Sequence, residues 1–245
     1  MERTALVTGA GRGIGAAIAA ELGRRGFHVV VNYRRDAEAA AGVVARIESA
    51  GGSARSVAAD VCDPEQARDL VADLPRIDAL VCNANVIPPF GSFAELSWSD
   101  FSAKVLNELA AVYHVSQRVL EVMRAQGSGR IVYVSSLSAD LLRPGTIAHA
   151  TAKAALNTFA QHVAAEAGRY GVAVNTVAPG AVRTEGTAAM RTPEMEATYG
   201  RRSTLGRMLD PEDVAAVVGT VLDPGFAAVA ATYLPIDAGY RALAG

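Results

Sequence analysis

The chain has 245 residues, room for one large domain or two small ones, and alternating α/β folds commonly reach this length as a single unit. Hydrophobic residues make up 51% and charged residues 20%, which suits a large core and excludes wholesale disorder. The net charge is −2, from 23 basic and 25 acidic residues, so the basic excess expected of a nucleic-acid binder is missing. Cys62 and Cys82 are too few for a disulfide framework or a cysteine zinc site, and no metal site is expected. Residues 1–9 lack the apolar run of a signal peptide, and no stretch of about 18 apolar residues suggests a membrane span. A soluble cytoplasmic protein with no membrane or nucleic-acid partner is the expectation.

Short apolar runs alternate with amphipathic stretches along the chain. They predict strand 4–8, helix 14–25, strand 27–32, helix 37–50, strand 54–59, helix 64–74 and strand 77–82. There follow helix 98–126, strand 131–135, helix 149–170, strand 172–177, helix 211–222 and strand 232–236. The strands are almost continuously hydrophobic, as parallel strands covered on both faces are. Asp210 before Pro211, with Asp213 beyond, supplies a cap, an N1 proline and a first-turn acid. Alternating strands and helices imply right-handed crossovers. The expectation is one Rossmann-like, doubly wound α/β domain over residues 1–245, a seven-stranded parallel sheet with helices on both faces. Segment 184–207 breaks this rhythm, with Arg191, Arg201, Arg202 and Arg207 among small residues. Long loops in compact domains commonly act as lids, so a substrate lid is expected, against a solvated helical excursion.

Thr8-Gly9-Ala10-Gly11-Arg12-Gly13-Ile14-Gly15 follows the first strand and opens the first helix. Glycines there let the backbone turn sharply and approach a pyrophosphate held at a helix N-terminus. A glycine triplet alone also marks ordinary turns. Its position between strand and helix makes it a cofactor signal.

Further matches follow in chain order: Asp60-Val61, Asn83-Ala84, Ser135-Ser136, Lys153, Asn175 through Pro179-Gly180, and Asp237-Ala238-Gly239. With them the chain resembles the short-chain dehydrogenase/reductase family over essentially its whole length, and is most similar to its 3-oxoacyl-acyl-carrier-protein reductases. The resemblance implies a dinucleotide on Gly9, Gly13, Ile14 and Gly15, with Asp60 and Val61 at the adenine. It implies Asn83 and Ala84 on the ribose side, and Pro179, Gly180, Val182 and Thr184 at the nicotinamide and phosphates. Asn32-Tyr33-Arg34-Arg35 closes the second strand without the acid that would accept both hydroxyls of an NAD ribose. Arg34, joined by Arg12, stands where a 2′-phosphate would sit, and the guanidinium fork suits phosphate. NADP(H) is therefore the expected cofactor; the bland alternative is that these arginines face solvent.

In this family a serine orients the substrate carbonyl and a tyrosine, four residues before a lysine, transfers the proton. The lysine holds the nicotinamide ribose, and an asparagine in the preceding long helix completes a relay. Ser136 matches the serine and Lys153 the lysine, but the tyrosine position holds His149. Aligning Val112-Tyr113-His114-Val115-Ser116-Gln117 with the family's helix puts Glu108 at the asparagine position, with Asn107 beside it. Asn85 stands for the glycine of Asn-Ala-Gly, a mild change because asparagine tolerates left-handed backbone. Tyr133 and Tyr113 lack the spacing to replace the tyrosine and are expected to pack against the sheet.

A helical histidine is usually a surface or packing residue. His149 differs because it leaves the same helix face as Lys153, four residues on. Imidazole, with an ordinary pKa near ~6.5, can give or take a proton near neutrality. Lys153 would favour its neutral form and Glu108 its charged form.

The expected function is NADPH-dependent reduction of a small or carrier-bound carbonyl, a 3-oxoacyl thioester or related ketone, through Ser136, His149, Lys153 and Glu108. Two alternatives stay open. His149 and Glu108 could form an acid/base pair for dehydration, isomerisation or cyclisation. The chain could instead be an inactive cofactor-binding subunit of a complete paralogue. The resemblance also implies a homotetramer or dimer built on helices 98–126 and 149–170, where Ala110, Ala111, Ala164 and Ala165 would permit close packing. Arg124, Arg130 and Arg169 are candidates to meet an acidic carrier protein.

Overall fold

The computed structural model describes residues 3–243, so the outermost residues of the expected 1–245 domain lie outside the described residues. Strand β1 (Arg3–Val7) leads to α1 (Gly13–Arg24), β2 (Phe27–Tyr33), α2 (Ala37–Ser49), β3 (Ser53–Ala58), α3 (Pro64–Ala72) and β4 (Ala79–Cys82). Then come α4 (Trp98–Gln126), β5 (Gly129–Val134), α5 (Ile147–Ala167), β6 (Val172–Pro179), α6 (Pro193–Arg201), α7 (Pro211–Val221) and β7 (Tyr233–Ile236). The strands form one parallel sheet in the order β3-β2-β1-β4-β5-β6-β7. The order reverses between β1 and β4, where such sheets leave a crevice at the carboxyl ends of the strands. This is the doubly wound Rossmann-like fold.

Alternation along each strand divides the core. Val7, Val29, Val31 and Val132 face Ile18 and Leu22 of α1, Ile47 of α2 and Val218 of α7. Leu6, Val30, Leu80 and Ile131 face Leu70 of α3, Val115 and Val119 of α4 and Leu156 of α5. All are buried. Each such side chain contributes roughly 1.5–3 kcal/mol of burial free energy.

Local chemistry sets the element ends. Ser97 caps α4 by accepting from Asp100 N at 3.0 Å, and Gly127, left-handed at φ +69°, ends it, so the helix has the expected bounds. The strand expected from 77 starts at Ala79, because the Gln126 side chain takes Ile77 N and O at 2.8 and 2.9 Å. The helix expected over 149–170 begins earlier, at Ile147, and tightens into a 3-10 turn at Gly168–Tyr170. Asp213 Oδ2 accepts from Asp210 N at 2.8 Å, the start signal expected for α7.

Segment 184–207 is helical, with a 3-10 stretch at Glu185–Met190 followed by α6. Thr192 accepts from Met195 N and Pro193 follows it, the same cap-and-proline signal as at α7. No described helix is long and apolar enough to cross a membrane.

Candidate active site

The glycine turn is held by side chains from three strand ends. Thr8 Oγ1 accepts from Asn83 N and Ala84 N, both at 3.0 Å. Asn83 Nδ2 returns bonds to Thr8 O and Gly9 O at 3.0 and 3.1 Å. Asn32, buried at the end of β2, accepts from Gly9 N and donates to Val57 O and Ala59 O. Asn83 Nδ2 is thereby spent on the turn. Gly9 lies at φ +61°, and a Cβ on it would meet Ala84 Cα at 2.8 Å; a Cβ on Gly15 would meet Gly9 O and Asn83 Nδ2 at 2.4 Å. Only glycine fits either place.

Arg12 starts α1 without a side-chain cap, and among the described residues Gly13, Ile14 and Gly15 make no N–H hydrogen bond. Three unspent donors at the positive end of a helix are what a pyrophosphate requires, so this turn fits a dinucleotide. Thr184 sits across from it, 3.6 Å from where a Gly13 Cβ would be. Pro179 ends β6, Gly180 N donates to Ile236 O at 2.8 Å, and Val182 bridges Leu209. Arg12 is exposed. Arg34 is about half exposed and pairs with Asp60 Oδ2 at 3.4 Å. Asp60 also accepts from Cys62 N, and Val61 is buried beside it.

Deeper in, three charges lie out of water. Lys104, Glu108 and Lys153 side chains are 0, 1 and 4% exposed. Lys104 Nζ meets Glu108 Oε2 at 2.5 Å and donates to Val86 O at 2.6 Å and Asn85 Oδ1 at 3.0 Å. Lys153 Nζ forms an ion pair with Glu108 Oε1 at 2.6 Å and donates to Val134 O at 2.9 Å. Val86 N adds a bond to Glu108 Oε2 at 3.2 Å. Burial works to raise the Glu108 pKa, but Lys153 and Lys104 overcome it and hold it at about 2. Burial lowers the Lys104 pKa against the pull of Glu108. Glu108, not exposed Asn107, is the residue that reaches Lys153.

His149 stands one turn before Lys153. Among the described residues its buried Nδ1 has no hydrogen-bond partner, and the residue as a whole is only partly buried. Burial, then Lys153 and Lys104, push its pKa down to about 4, against Glu108. The ring is therefore neutral at pH 7, the form that burial and the two lysines favour. Ser136 lies two residues beyond the Val134 carbonyl that anchors Lys153; its Oγ accepts from Ser138 N at 3.1 Å, leaving the O–H to donate. Ser135 is spent on Asn157.

Ser136 lines a cavity together with Pro179, Gly180, Tyr240 and, from segment 184–207, Tyr199 and Arg207; His149 is outside that lining. Arg143 stacks over Tyr199 and Arg202 over Tyr240, each about 5.1 Å from the ring centre. Ala238 sits left-handed at φ +53°, and its carbonyl accepts from Leu205 N and Thr204 Oγ1, fastening the end of the segment.

Some expectations need correction. Tyr133 is buried with its hydroxyl on Ser116 Oγ at 2.8 Å, but Tyr113 is 48% exposed beside Phe159 rather than packed on the sheet. Asn85 does not use a left-handed backbone; what it offers is an acceptor for Lys104. Arg124 and Arg169 both stack on Tyr170. Lys104 was missed altogether. Its signal was a charge pair set four apart within a stripe continuing through Ala111, Val115 and Val119.

A family model described as enoyl-(acyl carrier protein) reductase matches residues 9–241. A 3-oxoacyl-[acyl-carrier-protein] reductase of Synechocystis sp. is 34% identical over 242 residues, 97% of this chain and 96% of that protein. A candidate NAD(P)-dependent gluconate 5-dehydrogenase of Beutenbergia cavernae, solved with NADP at low occupancy, is 35% identical with a TM-score of 0.91, covering 98% of this chain and 97% of that one. A gluconate 5-dehydrogenase of Burkholderia cenocepacia in complex with NADP and tartrate is 29% identical with a TM-score of 0.90, over 98% and 95% of the two chains. The match of sequence, sheet order and glycine turn has one reading: the chain belongs to the short-chain dehydrogenase/reductase family of oxidoreductases.

Proposed function

We propose that the protein is an NADPH-dependent carbonyl reductase in which neutral His149 takes the place of the missing tyrosine. The observation that carries this reading is the retained anchor: Lys153 is buried on Val134 O, two residues before Ser136, with partly buried His149 one turn earlier on the same helix. The unspent N–H groups of Gly13, Ile14 and Gly15 would hold the pyrophosphate. Arg12 and loosely paired Arg34 would hold a 2′-phosphate. The NADP carried by two structural relatives supports the same cofactor. Bound NADPH supplies the hydride.

The chain's own residues handle the oxygen. Ser136 O–H donates to the substrate carbonyl and polarises it. His149 donates Nε2–H as a neutral imidazole, an electrophile for the oxygen that becomes an alkoxide. That transfer leaves an imidazolate, and the one solvent proton that the reduction consumes restores the N–H at the same nitrogen, because Nδ1 is enclosed. Lys104, Glu108 and Lys153 sum to one positive charge, which favours an electron-rich ring and alkoxide. The substrate proposed is a 3-oxoacyl thioester or related ketone, after the name of the Synechocystis relative. Glu108 spends both oxygens on lysines and holds its pKa at about 2, so it is badly placed to share acid/base chemistry with His149.

The test is NADPH oxidation over a panel of 3-oxoacyl thioesters and ketones, for wild type, His149→Gln and His149→Tyr. Wild-type turnover that falls about 10²–10⁴-fold in His149→Gln supports a working imidazole. Turnover only in His149→Tyr, or only with a paralogue added, sinks the proposal.

A further inference from the structure

We infer that Lys104 is a positioning residue of this site: it clamps Glu108 against Lys153 and returns the positive charge that Glu108 would otherwise cancel beside His149. The geometry carries the argument. A carboxylate placed 2.6 Å from Lys153 would leave the pair neutral. Lys104 approaches the other carboxylate oxygen at 2.5 Å from one turn earlier on α4, with no exposed surface of its own. Its remaining donors go to Val86 O and Asn85 Oδ1, and Val86 N closes the ring back to Glu108. Asn85, Lys104 and Glu108 thus form one unit, and a buried lysine without such acceptors would be costly to keep. A salt bridge placed only to brace α4 would not need to reach Lys153.

The charged groups acting on the His149 ring are Lys153 from its own helix and Lys104 and Glu108 from α4. Glu108 and Lys104 oppose one another there. Removing Lys104 alone leaves Glu108 opposed only by Lys153, so the downward push on the ring weakens, while removing both charges leaves Lys153 by itself with the same net charge as before.

The inference rests on the reductase reading only for its effect on rate, so its test is made on the ligand-free protein. The His149 imidazole is titrated by NMR in wild type, Lys104→Met and Lys104→Met/Glu108→Gln, its resonance assigned by its loss in His149→Gln. The expected midpoint rises by about one pH unit in Lys104→Met and returns toward the wild-type value in the double variant. Lys104→Gln, which keeps a donor for Asn85 and Val86, replaces the methionine variant if that one does not fold. A folded single variant with an unmoved midpoint overturns the inference. So does a midpoint that the second substitution fails to restore. Failure of NADPH oxidation in wild type would remove the reductase reading and leave this result standing.

Discussion

Replacing His149 by glutamine should make the protein more resistant to acid. An unfolded imidazole takes its proton near pH 6.5, whereas the folded ring refuses it until about pH 4. Between those values the unfolded state binds more protons, so native stability falls as pH falls, and levels off below pH 4. At 1.36 kcal/mol per unit the window is worth about 3 kcal/mol, a large share of a typical domain's 5–15 kcal/mol. Urea unfolding at closely spaced pH values from 7.5 to 4 would measure it, with the variant subtracting every other titrating group. The stability difference, variant minus wild type, should widen by about 1.4 kcal/mol per unit between pH 6.5 and 4. Parallel curves would mean that the ring is not held neutral by its surroundings. Glu108 acts lower down: with its folded pKa depressed to about 2, its contribution is complete above about pH 4.5 and is lost below.

Gly15→Ala places a Cβ 2.4 Å from Gly9 O and Asn83 Nδ2, so the turn must move. NADPH affinity, read by its fluorescence, should fall about tenfold or more, and an unchanged affinity would show that the turn does not meet the cofactor. Arg34→Ala should weaken NADPH binding by about 10- to 100-fold through a lost charge-assisted contact, with NADH binding unchanged in the same calorimetric titration. Ala238→Gly should raise stability by up to about 1 kcal/mol, because the residue sits at φ +53° where a Cβ is penalised. A lower melting temperature would contradict that.

What the sequence made visible follows period and punctuation. Val29, Val30 and Val31 announce a strand covered on both faces, and Ser97 with Gly127 brackets α4 to the residue. What it hid depends on neighbours distant in the chain. Gln126 reaching Ile77 shortens β4, an effect that no local pattern records. Thr192-Pro193 did carry the start of α6, but small residues and arginines around it read as a loop. In the site, spacing linked His149 to Lys153, yet the state of the ring needed the positions of two lysines and a carboxylate. Lys104 and Glu108 resemble an ordinary solvated pair on a helix, and only the packing of α4 on α5 shows them to be inside.

The side chains of Thr8, Asn32 and Asn83 fasten the glycine turn to the ends of β1, β2, β3 and β4. Four strands therefore share one clasp, built from hydroxyl and amide groups where the backbone ladder gives out. These bonds tie the turn down without any nucleotide, so association should have less loop freedom to freeze and lose less entropy for each bond gained. Its stiffness also spreads outward: a dinucleotide seated on Gly13, Ile14 and Gly15 would tighten the edge strand β3 through Asn32, and slower amide exchange there would report occupancy at a distance.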